Sequence, residues 1–160
     1  MEVLTPLEIR HFVPGDEKAF LELNEAWIAR YFVVEEKDWE VLKDPAKYIL
    51  EPGGALFMAI QEEVPVGTCG LLAMGEGSYE VAKMTVSEKR RGLGIGKQLL
   101  ARVIEYAREI GAKRLYLETN KQLQTAIHVY ESLGFRHLPL ERIVPSPYAR
   151  ANVYMELWLA

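Results

Sequence analysis

The chain has 160 residues, 49% of them hydrophobic and 26% charged, which suits one globular domain with a substantial core over residues 1–160. Its net charge of −4 argues against non-specific nucleic-acid binding as the main activity, and no apolar run approaches the ~20 residues that cross a bilayer. Cys69 is the only cysteine, which rules out an internal disulfide and a thiolate metal site built from this chain.

The opening "MEVLTPLEIRHF" has neither a basic n-region nor a continuous apolar stretch, so a cytoplasmic protein with no membrane partner is expected. Within it, "LEIRHF" alternates apolar and polar side chains and predicts a first strand, closed by Pro14 and Gly15, with Asp16 as N-cap of the next helix. Phe20, Leu23, Trp27 and Tyr31 recur at helical spacing and predict a helix buried on one side. "EEKDWEVLKDPAKYIL" predicts a shorter helical region interrupted at Pro45, ahead of the loop "EPGG". Three strand-like runs come next, "ALFMAIQ", "VGTCGLLAM" and "SYEVAKMTV", separated by the turn signals "EEVP" and "GEG"; together they predict a meander.

From Ile95 the period changes. Ile95, Leu99, Val103 and Ile110 share a stripe with Leu100, Ile104 and Ala107, which predicts a long amphipathic helix ending near Gly111. "RLYLET" predicts the next strand. Leu123, Ala126, Ile127, Tyr130 and Leu133 make another helical face, stopped at Gly134, and "FRHL" and "NVYMELWL" complete the sheet. The resulting order, β-α-α-β-β-β-α-β-α-β-β, predicts an α/β (α+β) fold: a mixed, mostly antiparallel central sheet flanked by helices.

The most informative stretch is "RRGLGIGKQLL" at residues 90–100. A strand ending at Val86, a turn carrying Lys89, Arg90 and Arg91, and a helix opening among Gly92, Gly94 and Gly96 bring unpaired backbone N–H groups to one helix N-terminus. Such an end binds anions, helped by the helix dipole. A Walker A loop is excluded, because Arg91 stands where its first glycine belongs and Gln98 comes directly after Lys97. A dinucleotide fingerprint is excluded too: the glycines read G-x-G-x-G, with lysine at 97, in a unit that lies mid-chain after a meander. Taken alone, the cluster also suits a turn that holds no ligand.

What it does match is [QR]-x-x-G-x-[GA], met by Arg91, Gly94 and Gly96, and here the chain resembles the GCN5-related N-acetyltransferases, the GNAT family. "KMTVSEKRRGLGIGKQLL" is similar to that family's strand-loop-helix unit, and "AIHVYESLGF" to its second signature, a helix whose tyrosine leads to "LGF". The resemblance covers nearly the whole chain, although the acceptor-facing parts match only in layout. It implies the GNAT fold, with a strand near Val86 splaying from its neighbour. It also implies acetyl-CoA as co-substrate and an amine acceptor; His11, His128 and His137 are scattered over different elements, so no metal is expected, and the chain is expected as a monomer or homodimer. By the same resemblance, Met84, Thr85 and Val86 lie beside the pantetheine, and Arg91, Gly92, Leu93, Gly94, Ile95 and Gly96 hold the pyrophosphate. Many relatives carry an asparagine where this chain has Leu123; Asn120, three residues earlier, is the weaker candidate for that coenzyme contact.

Acetyl transfer to an amine needs a neutral nucleophile, and an alkyl amine of pKa ~10 is mostly protonated at neutral pH, so a base must take its proton. Glu80, on the strand that enters the cofactor loop, and Glu118, at the end of "LYLET", are the two candidates. Each also suits a plain structural role, as a cross-sheet partner or a solvated strand end. Tyr130 matches the family tyrosine that gives a proton to the leaving thiolate, and it also lies on the apolar stripe of its helix. For the acceptor, Glu35 and Glu36 suit a cationic amine and Arg150, near Tyr148 and Asn152, suits a carboxylate; small amine, amino acid and protein amine all stay open. Transfer by direct attack in a ternary complex is expected, since Cys69 lies outside both motifs. A non-catalytic acyl-CoA-binding or sensing module on the same fold is the alternative.

Overall fold

The computed structural model describes residues 6–90 and 93–159. The chain runs β1 (Leu7–His11), α1 (Glu17–Tyr31), α2 (Glu36–Lys43), β2 (Ala55–Gln61), β3 (Val64–Gly75), β4 (Ser78–Val86), α3 (Ile95–Glu109), β5 (Arg114–Thr119), α4 (Gln124–Ser132), β6 (Arg136–His137) and β7 (Val153–Trp158). Its strands form one sheet in the order β1-β2-β3-β4-β5-β7-β6, and β4 with β5 is the parallel pair among otherwise antiparallel neighbours. The expected order of elements and mostly antiparallel sheet are both present.

Each face of the sheet carries its own apolar layer. On one, Leu99, Leu100, Val103 and Ala107 of α3 are fully buried against Phe57, Cys69, Leu71 and Leu115. On the other, Phe20, Ile28, Leu42 and Ile49 close over Leu56. Each buried Leu, Ile, Val or Phe among them stabilises the fold by roughly 1.5–3 kcal/mol. The α3 stripe is as expected except for Ile110, which lies one residue past the helix as its C-cap and is exposed.

Two local expectations are corrected and a third is met. Asp16 stands at the N-cap of α1, as expected, but its side chain makes no capping bond; its carboxylate instead accepts from the Val13 N–H (2.9 Å) and from Arg10 (2.7 and 3.1 Å), which ties the β1–α1 corner together. In α1 the deeply buried positions are Phe20, Asn24 and Ile28, so Trp27 and Tyr31 fall on the adjoining face and turn toward a cleft. The helical region after Glu35 does break at Pro45, and the chain then makes a single wide π-helical turn, Ala46–Leu50. Among the described residues no helix is long and apolar enough to cross a membrane.

The segment from Leu138 to Asn152 has little regular structure and is pinned at several points. Glu156 of β7 accepts from Arg142 (2.7 and 2.7 Å), from Trp158 (2.7 Å) and from Arg114 (3.3 and 3.2 Å). These donors, Arg142 foremost, hold the Glu156 carboxyl down to about 2.

Candidate active site

The site starts where two strands part. β4 and β5 pair in parallel from Ser78–Arg114 to Val81–Leu117 and then stop, although β4 runs on to Val86 and β5 to Thr119. Beyond Val81 the edge of β4 that faces β5 therefore has no strand partner, the splay that the resemblance implied. A bulge accompanies it. Thr68 pairs with Thr85 and Gly70 with Ala82, so Lys83 and Met84 together oppose Cys69, and Lys83 takes a positive φ of 54°. The bulge re-aims these side chains, and Lys83, Met84, Thr85 and Val86 all line the resulting cleft of about 760 Å³.

The N-terminus of α3 forms one wall. Gly94 is its N-cap at φ +76°, a left-handed conformation that costs a residue with a Cβ about 1–2 kcal/mol, and among the described residues no side chain caps the helix there. The first-turn N–H groups thus lack an intrahelical acceptor, and Gly94, Ile95, Gly96, Lys97 and Arg90 all line the cleft. A Cβ at Gly96 would lie 3.4 Å from Met84 Cε and 3.6 Å from Val86 Cγ2, ordinary van der Waals contact, so packing of α3 on β4 does not by itself require glycine there. Leu93 is exposed and does not line the cleft; Arg91 and Gly92 lie outside the described residues. An uncapped helix end flanked by cations, opening on a long cleft, fits the phosphates and pantetheine of coenzyme A.

Tyr130 of α4 lines the opposite wall, its ring set edge-on to Phe135 at 6.0 Å. Its hydroxyl makes no hydrogen bond to a described residue, and burial pushes the phenol well above its ordinary value, so it stays protonated at neutral pH. Asn120, also on the cleft, has its side chain engaged within the chain: Nδ2 donates to the Arg150 carbonyl (2.6 Å) and Oδ1 accepts from the Gln122 N–H (2.8 Å).

Geometry separates the two glutamates. Both line the cleft, and the register Glu80–Tyr116 and Val81–Leu117 sets Glu80 and Glu118 on the same face of adjacent strands. Glu118 is held from both sides, by Ser146 Oγ (2.6 Å) and by the Tyr116 hydroxyl (2.9 Å). Glu80 makes no hydrogen bond to a described residue. Burial, reinforced by the Glu118 charge and opposed by Lys83, raises its carboxyl to about 7. Cys69 is fully buried in β3, and burial raises its thiol to about 12, so it presents no thiolate to an acyl group.

Lys83, which no motif in the sequence singles out, is linked to a second group of charges. Its Nζ lies 3.3 Å from Asp38 Oδ1 and 3.4 Å from the Tyr148 hydroxyl. Asp38 has no exposed side-chain surface and takes a two-bond contact from Arg150 at 2.9 and 2.6 Å. Arg150 also reaches Glu35 at 3.3 Å, and Lys37 donates to the Pro147 carbonyl at 2.8 Å. Tyr148 and Arg150 line the cleft, whereas Asn152 faces away and binds the Lys121 N–H. The one local signal for Lys83 is a lysine inside an apolar strand; Asp38 reads only as the third helical residue of a capping box.

The acetyltransferase (GNAT) family model matches residues 20–135. The uncharacterized N-acetyltransferase YjgM of Escherichia coli is 33% identical over 137 residues, which cover 81% of this chain and 82% of that protein. Other curated relatives match over a shared core only, and the chain spans less than half of their length. Among solved structures, a GNAT-family acetyltransferase of Staphylococcus aureus superposes with a TM-score of 0.87 at 24% identity, covering 97% of this chain and all of that one. A Bacillus subtilis acetyltransferase in complex with CoA superposes at 0.70 and 22% identity, over 97% of this chain and all of that one. With matched motifs, a split parallel strand pair and a family match over most of its length, the chain belongs to the GNAT acetyltransferase family and is an N-acetyltransferase.

Proposed function

We propose that the protein, acting as one domain over residues 1–160 in the cytoplasm, transfers the acetyl group of acetyl-CoA to a primary amine by direct attack within a ternary complex. The observation that carries this reading is the convergence on one cleft of an uncapped α3 N-terminus, a free Tyr130 hydroxyl and a Glu80 carboxyl without a hydrogen-bond partner among the described residues. The solved relative in complex with CoA lends support for coenzyme binding on this fold.

Acetyl-CoA supplies an activated acyl group. The chain's part is to hold and to move protons. The amides of Gly94, Ile95 and Gly96, with Arg91 and Gly92, bind the pyrophosphate, and the unpaired edge of β4 at Met84, Thr85 and Val86 binds the pantetheine as a strand would. Glu80, half ionised near neutrality, accepts the proton of the incoming amine directly or through water. Glu118, fixed by Ser146 and Tyr116, stands beside Glu80, and the repulsion between the two carboxyls helps to raise the affinity of Glu80 for that proton. Tyr130, protonated and facing the cleft, donates to the departing sulfur. A thiol as shielded as Cys69 is no acyl carrier, which favours direct attack.

Calorimetric titration of acetyl-CoA, followed by initial rates of coenzyme A release over a grid of acetyl-CoA and amine concentrations, tests the proposal. Saturable binding with intersecting double-reciprocal lines is expected. Parallel lines would replace direct attack with a covalent acyl-enzyme, and binding without turnover on any amine would turn the reading toward an acyl-CoA sensor.

A further inference from the structure

Resting on the acetyl-transfer reading, we infer that the amine acceptor also carries a carboxylate, and that Lys83 and Arg150 form the subsite that receives it. Both cations line the cleft, while the acids that neutralise them, Asp38 and Glu35, are not part of its lining. The positive heads thus stand in front and the negative ones behind. Lys83 keeps 8% of its side chain exposed and Arg150 17%, so the little that shows is presented to the cleft.

Neither cation is saturated. The Lys83 ammonium has three donors, yet its contacts to Asp38 and Tyr148 are long, at 3.3 and 3.4 Å, and no third described partner exists. Arg150 directs Nη1 and Nη2 at Asp38 and Glu35, while its Nε–H makes no hydrogen bond to a described residue. Its guanidinium stacks over the Tyr148 ring at 4.6 Å, and the Lys83 ammonium lies 4.8 Å from the same ring, so one aromatic plane holds both heads in place.

The acids of the cleft point the same way. Glu118 has both carboxylate oxygens engaged, by Ser146 and Tyr116, and Asp38, behind the lining, is engaged by Arg150, Lys83 and the Glu35 N–H. Glu80 is left as the cleft carboxylate with no hydrogen-bond partner among the described residues. One free acid suits one amine, whereas a polyamine would bring further positive charge against Lys83 and Arg150 with no acid left to meet it. A zwitterion satisfies both ends, its amine at Glu80 and its carboxylate at the two cations, three residues further along β4 and on the 138–152 segment.

The test compares matched acceptors on the wild-type protein: amines with one to four carbons between nitrogen and carboxylate, each beside its carboxamide, with spermidine as the polyamine. Acetyl-CoA binding is measured by calorimetry on the same preparation. The expected result is a kcat/KM at least about tenfold higher for the best carboxylate than for its carboxamide, the scale of one lost charge-assisted contact. In Lys83→Met and in Arg150→Gln, each checked by circular dichroism, that ratio should collapse toward one. Equal or better turnover of the carboxamide or of spermidine overturns the carboxylate subsite while acetyl transfer stands. A preference that survives in both variants overturns its assignment to these residues. Acetyl-CoA that binds without turnover of any amine, or does not bind, overturns the inference together with the reading beneath it.

Discussion

Replacing Glu80 by glutamine removes the cleft's free acid and leaves its shape. Because the Glu80 carboxyl lies at about 7, kcat/KM of the wild-type protein should climb with pH and level off above about 7, falling roughly tenfold per unit well below it. Glu80→Gln should lose about 10²–10⁴ in kcat, the usual share of a positioned base, and with it this acid limb. Glu118→Gln removes the like charge that helps to raise Glu80, so its limb should move to lower pH. A second readout is independent of turnover. The fold disfavours the ionised Glu80, so its cost is absent below the ordinary carboxyl value and grows as pH rises through about 7. The melting temperature of Glu80→Gln should therefore gain on the wild type between pH 5 and pH 8. A Glu80→Gln protein with full rate and an unchanged limb would refute the base assignment, and a limb unmoved in Glu118→Gln would refute the coupling between the two carboxyls.

Tyr130→Phe should lower kcat by about 10² or more with little change in the KM for acetyl-CoA, measured by coenzyme A release; an unaltered kcat removes Tyr130 as the acid. Gly94→Ala should cost about 1–2 kcal/mol through its left-handed backbone, read by denaturant titration, and should weaken acetyl-CoA binding in calorimetry. Among the described residues its Cβ meets nothing nearer than Gln98 Nε2 at 4.0 Å, so weakened binding in a folded variant would point to the coenzyme site and the backbone at its edge. Asp38→Ala should destabilise by about 3 kcal/mol, because it strips the acid from the nearly buried Lys83 and Arg150, and urea midpoints will check this.

The strand-loop-helix unit and the tyrosine helix were legible because each is one contiguous stretch whose spacing carries its own geometry. Met84, Thr85, Val86 and the start of α3 from Gly94 follow one another along the chain, as do Ala126, Val129 and Tyr130, and the 3.6-residue stripe of α3 announces which side packs on the sheet. Glu80 and Glu118 looked alike in the sequence, each a strand glutamate. What separates them is the company of Ser146 and Tyr116 around one and of burial around the other.

The sequence by itself determined the order of elements, the family, and the opening of a helix within the glycine cluster, all of which depend on neighbours along the chain. Only the tertiary structure decided where β4 leaves β5, and that Glu35 and Asp38 lie behind Arg150 instead of facing an acceptor. Asp38 meets Lys83 across 45 residues and Arg150 across 112, and such pairs leave no period or motif to read, because their free energy arises only when the folded chain buries them together.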